Sequence, residues 1–247
     1  MSGYPRSWLT PEWPAPAQVR AISTSREGGI STGPYASMNL GDHVDDDPTA
    51  VAENRHRLAE MLALPSEPLW LTQVHGVEVL GAEGECADAR VVSRAGQVAV
   101  VMTADCLPVL FCDRQGREVA AAHAGWRGLV AGILEKTVAR MQADNADILA
   151  WLGPAIGPTS FEVGDEVRKA FMDHDPQAQA AFIPSPQGRW LADIYLLARQ
   201  RLSSAGIMQI YGGGLCTFSD AERFYSFRRD GATGRMASLI WILGEQE

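Results

Sequence analysis

Histidine and cysteine are scarce in this sequence, and long runs of apolar or basic residues are absent. The chain has five histidines and four cysteines among 247 residues. The cysteines form no CxxC pair and lack the close spacing of a small disulfide-bonded scaffold, so we expect free thiols. Any chemistry that uses sulfur or imidazole must therefore draw on very few side chains.

The charge balance and the lack of apolar runs exclude two classes of partner. There are 21 Lys and Arg against 30 Asp and Glu, which gives a net charge of -9. No basic run is long enough to follow a phosphate backbone, so we expect no nucleic-acid partner. No stretch approaches the roughly 20 apolar residues that cross a bilayer, and the proline-rich start has no signal-like apolar segment. We therefore expect a soluble, cytoplasmic protein.

The order of predicted elements favours an α+β fold with a mixed sheet in one domain. Residues 1–18 are expected to form an irregular arm, and residues 19–247 the domain itself. Apolar alternation or short apolar runs predict strands, and the 3.6-residue period predicts helices. The predicted strands include 19–25, 69–75, 98–102, 109–112, 119–122, 148–152 and 236–243. The main predicted helices are 49–62, 129–142 and 191–205.

A hairpin near the middle of the chain brings a cysteine close to a histidine. If Cys112 faces Glu118 across the polar turn, Cys106 faces Ala124 and is a near neighbour of His123. Facing or diagonal strand residues lie roughly 5 to 8 Å apart at Cβ, so thiol and imidazole can reach one another. A register slip of one residue would turn one of the two side chains to the other face.

Three interpretations of this pair remain open from the residues alone. The two side chains could bind zinc or copper, they could be a nucleophile and its base, or they could be a buried thiol and a hydrogen-bonded imidazole in a β core. Asp105, Pro108 and the segment Gly125-Trp-Arg-Gly128 interrupt the apolar pattern around the pair. A core strand has little use for such interruptions, so they favour a chemical role.

Other polar residues stand at the ends of predicted elements. His75 ends the predicted strand 69–75 and is a candidate third group beside Cys106 and His123. Glu162 is a candidate acid or base next to a loop. Arg127 lies just before the predicted helix 129–142, where free backbone N–H groups could bind phosphate or carboxylate, and a plain strand-to-helix turn is the alternative. Arg228 lies among aromatic residues, a setting that suits a planar anionic ligand.

Five motifs together give the chain a close resemblance to a known family. They are Thr72-Gln-Val-His-Gly76, Thr103-Ala-Asp-Cys-Leu-Pro108, Ala122-His-Ala-Gly-Trp-Arg-Gly128, Leu152-Gly-Pro-Ala-Ile-Gly157 with Phe161-Glu-Val-Gly164, and Arg228-Arg-Asp-Gly231 with Gly234-Arg-Met-Ala237. The chain resembles the YfiH family, long labelled laccase-like polyphenol oxidases. The resemblance implies a mixed α/β sandwich similar to cysteine-hydrolase toxins.

The same resemblance implies a function and a set of site residues. It implies phosphorolysis of adenosine, inosine and methylthioadenosine, hydrolytic deamination of adenosine, and a catalytic zinc bound by His75, Cys106 and His123. We expect Cys106, Asp105 and Glu162 to be catalytic, with the two acids handling protons. The expected substrate-binding residues are Arg26, Asn39, Arg55, Gln73, Arg127 and Arg228. The expected partners are a nucleoside and phosphate, and the expected assembly is a monomer or homodimer.

The number of histidines limits the metal chemistry that the family label suggests. A multicopper oxidase needs many imidazoles, usually in His-X-His pairs, and this chain has five histidines and no such pair. A laccase architecture is therefore excluded, although copper at the His/Cys/His site could give a weak oxidase activity in vitro. The zinc-deaminase signature is also absent. Two alternatives remain, a metal-independent Cys/His amide hydrolase acting on a cell-wall precursor and a nucleoside-binding protein without turnover.

Overall fold

The computed structural model describes residues 3–81, 86–186 and 188–244, and their strands form three sheets. The strands are β1 (Val19–Ser23), β2 (Val79–Leu80), β3 (Ala89–Val92), β4 (Val98–Thr103), β5 (Leu107–Asp113), β6 (Val119–Ala124), β7 (Ile148–Leu152), β8 (Glu162–Val163), β9 (Phe182–Pro184), β10 (Trp190–Ala192), β11 (Gln209–Gly212) and β12 (Met236–Ile242). One sheet has the mixed order β11-β7-β5-β6-β3-β2, a second has the order β1-β12-β4, and a small third sheet has the order β8-β10-β9.

Six α-helices connect the strands of the described ranges. They are α1 (Pro48–Leu62), α2 (Trp126–Ala131), α3 (Ile133–Arg140), α4 (Asp165–His174), α5 (Ile194–Ser204) and α6 (Phe227–Asp230). Aspartates begin the two longest. Asp47 accepts a hydrogen bond from the N–H of Thr49 at 2.8 Å, and Asp193 accepts one from the N–H of Leu196 at 2.9 Å. Within the described residues, no helix combines the length and apolar character needed to cross a bilayer.

The two larger sheets pack face to face, and helices cover their outer faces. Leu110 and Ala121 of the six-stranded sheet share one apolar cluster with Val101 and Ile240 of the three-stranded sheet. On the outer face of the six-stranded sheet, the β5 and β6 side chains pack with those of α3 and α5. Leu58 of α1 packs on the other outer face. This four-layer arrangement confirms the predicted single-domain α+β fold with a mixed sheet.

The chain passes from one large sheet to the other between β4 and β5. Residues 104–106 make this crossing, and Asp105 there has a φ of 88°. Such left-handed backbone is costly for a residue with a side chain, so the surroundings must hold it in place. The carbonyl of Asp105 accepts a hydrogen bond from the N–H of Ile156 at 2.9 Å. Cys106 therefore lies where the two sheets meet.

The register of the β5–β6 hairpin differs by one residue from the prediction. Cys112 pairs with Val119, and Pro108 pairs with His123. The cause lies in the turn, where the carboxylate of Asp113 accepts hydrogen bonds from the N–H groups of Arg117 at 2.6 Å and Glu118 at 2.9 Å. These bonds allow Asp113 itself to face Glu118 and leave a shorter loop.

Other local predictions need correction. Residues 69–75 form no strand and contain only an isolated bridge from Thr72 to Cys86. The helix predicted at 129–142 is two helices, because Gly132 takes a φ of 99° and ends α2 before α3 begins. The helix predicted at 191–205 begins only at Ile194, since residues 190–192 form β10 instead.

The N-terminal arm is irregular, yet part of it is fixed to the core. Trp8 is only 4% exposed, and its indole N–H donates to the carbonyl of Glu27 at 3.0 Å. Leu9 forms an antiparallel bridge with Ser23 of β1. The first two residues of the predicted arm lie outside the described ranges.

Candidate metal centre and active site

Three donor atoms from distant parts of the chain meet at the open end of the β5–β6 hairpin. The side-chain donors of His75, Cys106 and His123 all lie within 4.8 Å of one another. Sγ of Cys106 is 3.9 Å from Nε2 of His75. The two imidazole rings meet edge to face, with 4.7 Å between their centroids. One sulfur and two nitrogens are thus placed to bind a single metal ion.

Two glycines make room for this cluster. A methyl group on Cα of Gly125 would lie 2.9 Å from Cδ2 of His75 and 3.0 Å from Sγ of Cys106. The φ of Gly125 is -60°, which any residue can adopt. The neighbouring side chains, and not the backbone, therefore exclude a larger residue there. At Gly128 a methyl group would lie 2.8 Å from the carbonyl oxygen of Gly76, so this glycine lets α2 approach the His75 segment.

Asp88 holds two of the three donors in place. Nδ1 of His123 donates to Oδ1 of Asp88 at 2.8 Å. The same carboxylate accepts hydrogen bonds from the backbone N–H groups of His75 at 2.9 Å and Gly76 at 2.6 Å. Fixing the proton on Nδ1 leaves Nε2 of His123 free to bind a metal. The amide contacts also stabilise His75, whose φ is 59°.

The charges within the cluster favour an ionised thiol. Burial opposes ionisation of Cys106, but the charge of His123 and hydrogen bonds from both imidazoles lower its pKa to about 6. Burial likewise opposes the charged form of His123, but the charges and hydrogen bonds of Cys106 and Asp88 raise its pKa to about 9. Burial would raise the pKa of Asp88, but hydrogen bonds from His123 and Gly76 lower it. A thiolate is both a metal ligand and a nucleophile.

A cavity of about 260 Å³ opens over the cluster. Its walls contain the three donor residues together with polar, apolar and aromatic side chains. The full lining is His43, Gln73, His75, Met102, Thr103, Ala104, Cys106, His123, Phe227 and Arg235. The combination of a small concave space with a few convergent polar groups is typical of a small-molecule site.

Among the predicted polar residues, Gln73 lies in this cavity and Asp105 lies behind it. The side-chain amide of Gln73 donates to the carbonyl of Met102 at 2.8 Å and accepts from its N–H at 2.7 Å. Asp105 accepts hydrogen bonds from the hydroxyl of Thr217 at 2.6 Å and the N–H of Arg228 at 2.7 Å. Both residues therefore position neighbouring backbone.

Three further predicted residues line a separate cavity of about 420 Å³. Glu162, Arg127 and Arg228 all contribute to its wall. The carboxylate of Glu162 accepts a hydrogen bond from the hydroxyl of Ser185. The guanidinium of Arg228 donates to the carbonyl of Glu162 at 2.7 Å. These three side chains therefore line a different cavity from the one that contains the metal donors.

The remaining predicted residues make structural contacts outside the wall of the metal cavity. Nε of Arg26 donates to the carbonyl of Ala36 at 3.0 Å. Nε of Arg55 donates to the carbonyl of Leu40 at 3.0 Å, and its guanidinium lies over the ring of Trp70. Asn39 is fully buried. These side chains therefore position nearby backbone.

Sequence reasoning missed four residues that shape the site. Asp88 carries one local signal, an acid directly before an apolar strand. Arg235 stands within the motif 234–237, but nothing in the sequence places it at the cavity. His43 and Phe227 line the cavity as well. Their positions depend on contacts between distant segments, which no local pattern reveals.

The donor set fits a single zinc ion, although the same donors also suit copper. One thiolate and two imidazoles supply three ligands of a tetrahedral site, and catalytic zinc keeps its fourth position open. Asp88 is the carboxylate partner that imidazole ligands of zinc ordinarily have. Residues 3–81, 86–186 and 188–244 contain no second group of three such side chains close enough to hold an ion. A cluster of several coppers therefore does not fit the described chain.

Comparisons with known proteins agree over nearly the whole chain. The family model described as "Multi-copper polyphenol oxidoreductase laccase" matches residues 20–243. The chain is 57% identical over 240 residues to Pseudomonas aeruginosa purine nucleoside phosphorylase PA4543, covering 96% of this chain and 98% of that protein. It is also 57% identical over 240 residues to Escherichia coli purine nucleoside phosphorylase YfiH, covering 95% and 98%.

A solved structure agrees with the fold described above. The crystal structure of Neisseria meningitidis protein NMB0706 superposes with a TM-score of 0.93 at 48% identity, over 97% of this chain and 100% of that one. The protein therefore belongs to the laccase-like polyphenol oxidase family that includes YfiH.

Proposed function

We propose that this protein is a zinc-dependent purine nucleoside phosphorylase that also deaminates adenosine. Its substrates would be phosphate with adenosine, inosine or S-methyl-5′-thioadenosine. The single observation that carries the proposal is the convergence of His75, Cys106 and His123 beneath a cavity of about 260 Å³. The names of relatives that are 57% identical to this chain support the choice of reaction.

Phosphorolysis exchanges one bond at the ribose for another. An oxygen of phosphate forms a bond with C1′ while the bond from C1′ to the purine nitrogen breaks. The purine leaves with the bonding electron pair and takes up a proton, and the second product is ribose 1-phosphate, or 5-methylthioribose 1-phosphate when the substrate is S-methyl-5′-thioadenosine. When bound, zinc supplies Lewis-acid chemistry at its open coordination position.

The residues of the chain would prepare the site for that exchange. His75, Cys106 and His123 would hold the ion, and Asp88 keeps Nε2 of His123 directed towards it. The cavity wall would hold phosphate and nucleoside next to each other, so that a phosphate oxygen can reach C1′. In deamination, water would add to C6 of adenosine and ammonia would leave. We further propose that the enzyme works in the cytoplasm as a monomer or homodimer.

The direct test is to incubate the purified protein with each nucleoside and phosphate. Free purine and the matching sugar 1-phosphate (5-methylthioribose 1-phosphate from S-methyl-5′-thioadenosine, ribose 1-phosphate from the others) are expected in equal amounts, with inosine appearing from adenosine even without phosphate. Stoichiometric zinc should be present, and its removal by a chelator should abolish both reactions. His75→Ala should lose activity, whereas His56→Ala, on an exposed face of α1, should retain it. Absence of every product in the zinc-loaded protein would refute the proposal.

One observation favours a second candidate, a Cys/His amide hydrolase acting on a peptidoglycan precursor. The lowered pKa of Cys106 and the raised pKa of His123 describe a thiolate beside an imidazolium, the state of an activated nucleophile. Full amidase activity in a chelator would support this candidate and count against zinc. The family description also prompts a test for polyphenol oxidation after copper loading, which we expect to be weak because a single ion site is available.

A further inference from the structure

We propose that Arg235 binds the phosphate co-substrate and that Phe227 is the surface on which the purine base stacks. This inference rests on the proposed phosphorylase function. Both side chains line the cavity that contains the three metal donors. Cζ of Arg235 lies 6.0 Å from the centroid of the Phe227 ring. The two residues would therefore hold neighbouring parts of one reacting pair.

The guanidinium of Arg235 retains hydrogen-bonding capacity. Its Nη1 donates to the carbonyl oxygens of Thr233 at 2.9 Å and Gly234 at 3.1 Å. In the described chain, Arg235 forms no direct ion pair with a carboxylate, although Asp105 and Cys106 lie near enough for their charges to favour its protonated form. An arginine fork with free N–H groups matches the oxygens of phosphate. A half-buried setting strengthens such a contact relative to water.

Contacts with residues 39–41 fix the position of Arg235. Oδ1 of Asn39 accepts a hydrogen bond from the backbone N–H of Arg235 at 2.9 Å. The N–H of Leu40 donates to the carbonyl of Arg235 at 3.2 Å. A methyl group on Gly41 would lie 2.7 Å from Cγ of Arg235, so glycine there leaves room for the side chain. Asn39, expected to bind substrate, is thus a positioning residue for Arg235.

The ring of Phe227 is an apolar surface that is exposed to water. The residue is 59% exposed, although it lines the cavity. Exposed phenyl surface gains free energy when a planar apolar surface covers it, and a purine offers such a surface. Stacking on the ring would not depend on which group the purine carries at C6. That tolerance suits a site that accepts both adenosine and inosine.

The position of Phe227 is coupled to the metal donors through Asp105. Oδ2 of Asp105 accepts a hydrogen bond from the N–H of Arg228 at 2.7 Å. The hydroxyl of Ser226 accepts one from the N–H of Arg229 at 3.2 Å. The first contact holds the short helix α6 against the segment that carries Cys106, and the second caps the N-terminus of α6. The stacking surface and a metal ligand thus share one anchor.

The test separates the two roles by kinetics and by direct binding. Arg235→Gln should raise the KM for phosphate about tenfold or more and leave the KM for nucleoside within about twofold. Arg235→Lys should recover part of that loss, because the charge returns without the fork. Phe227→Ala should show the opposite pattern, with a raised KM for nucleoside, and Phe227→Tyr should restore it. Arg57→Gln removes the same charge at an exposed ion pair with Glu53 and should change neither constant.

Calorimetric titration with inorganic phosphate supplies a readout that does not require turnover. The wild-type protein and Arg57→Gln should bind phosphate, and Arg235→Gln should bind it at least tenfold more weakly. Zinc content and melting temperature, measured on each variant, should match the wild type and so exclude misfolding. Unchanged phosphate binding in Arg235→Gln would overturn the role of Arg235, and an unchanged nucleoside KM in Phe227→Ala would overturn that of Phe227. A wild-type protein that binds phosphate through Arg235 but releases no ribose 1-phosphate would refute the phosphorylase function alone.

Discussion

Asp88 and His123 are joined twice, once through their side chains and once through their backbones. Nδ1 of His123 donates to the carboxylate of Asp88 at 2.8 Å, and the N–H of His123 donates to the carbonyl of Asp88 at 2.7 Å. The two residues are 35 positions apart in the chain. This double contact fixes both the position and the orientation of the imidazole, so the metal donor is prepared before any ion binds.

Replacing Asp88 should therefore weaken metal binding. Asp88→Asn keeps the shape of the side chain but removes the charge that stabilises the protonated Nδ1 and the amides of residues 74–76. We expect zinc affinity to fall by about 10- to 100-fold, as for other carboxylate partners of ligating histidines. Competition with a chromogenic chelator measures this directly. Asp173→Asn, at an exposed ion pair with Lys169, is the matched control, and equal affinities in the two variants would contradict the assigned role.

Gly125 should tolerate no side chain once a metal is bound. Gly125→Ala places a methyl group within 3.0 Å of Sγ of Cys106 and closer still to His75. Its backbone conformation is open to alanine, so we expect a folded protein that binds zinc at least tenfold more weakly and loses activity. Metal analysis after dialysis tests this. Gly244→Ala, where no atom lies near the added methyl group, should behave as the wild type.

The pKa of Cys106 predicts an unusual pH profile for alkylation of the metal-free protein. Because its folded pKa is lowered to about 6, the reactive thiolate forms as the pH rises through 6. Modification by iodoacetamide, followed by mass spectrometry of the peptide, should reach a plateau by about pH 8. The observed midpoint belongs to the coupled Cys106 and His123 pair.

Two comparisons make the alkylation experiment decisive. Burial and the charge of Asp113 raise the pKa of Cys112 to about 12, so this thiol should stay unmodified throughout. His123→Ala removes the favourable charge and should move the midpoint for Cys106 upward. A wild-type midpoint near 9 would show that the thiolate is not stabilised. Zinc loading should protect Cys106 at every pH.

Asp105 should affect stability more than proton transfer. Asp105→Asn replaces one of two acceptor oxygens with an NH₂ group, which then faces either the hydroxyl of Thr217 or the N–H of Arg228. We expect a loss of about 1 to 3 kcal/mol in the free energy of unfolding, measured in urea. Asp144→Asn, an exposed position, should cost little. A pH profile of kcat/KM that changes shape in the Asp105 variant would instead indicate direct proton transfer.

Sequence patterns predicted the convergence of Cys106 and His123 because a hairpin is a local structure. The turn length alone did not fix the register, since that depends on the hydrogen bonds that Asp113 makes to residues 117 and 118. The segment of His75 has an apolar alternation typical of a strand. Tertiary contacts with Asp88 and Met102 hold it in irregular structure instead.

The sequence could not predict which arginine lines the cavity. Arg26, Arg55 and Arg228 stand in suggestive surroundings, yet none of the three lines the cavity that contains the metal donors. Arg235 belongs to the motif 234–237, but the sequence does not place it at the cavity, because its position depends on Asn39 and Gly41, nearly two hundred positions earlier. Long flexible side chains can reach many places, and only the packed structure selects one.

Because the chain crosses from one large sheet to the other between β4 and β5, the site is formed by residues that adjoin both sheets. His123 lies in β6 of the six-stranded sheet and Cys106 directly precedes β5 of that sheet, whereas Arg235 directly precedes β12 of the sheet β1-β12-β4. Any sliding of one sheet over the other would change the distance between the metal donors, Cys106 and His123, and Arg235, which we propose to bind phosphate. Substitutions of the apolar residues packed between the two sheets, which do not contact the site, should therefore lower kcat even where the protein remains folded.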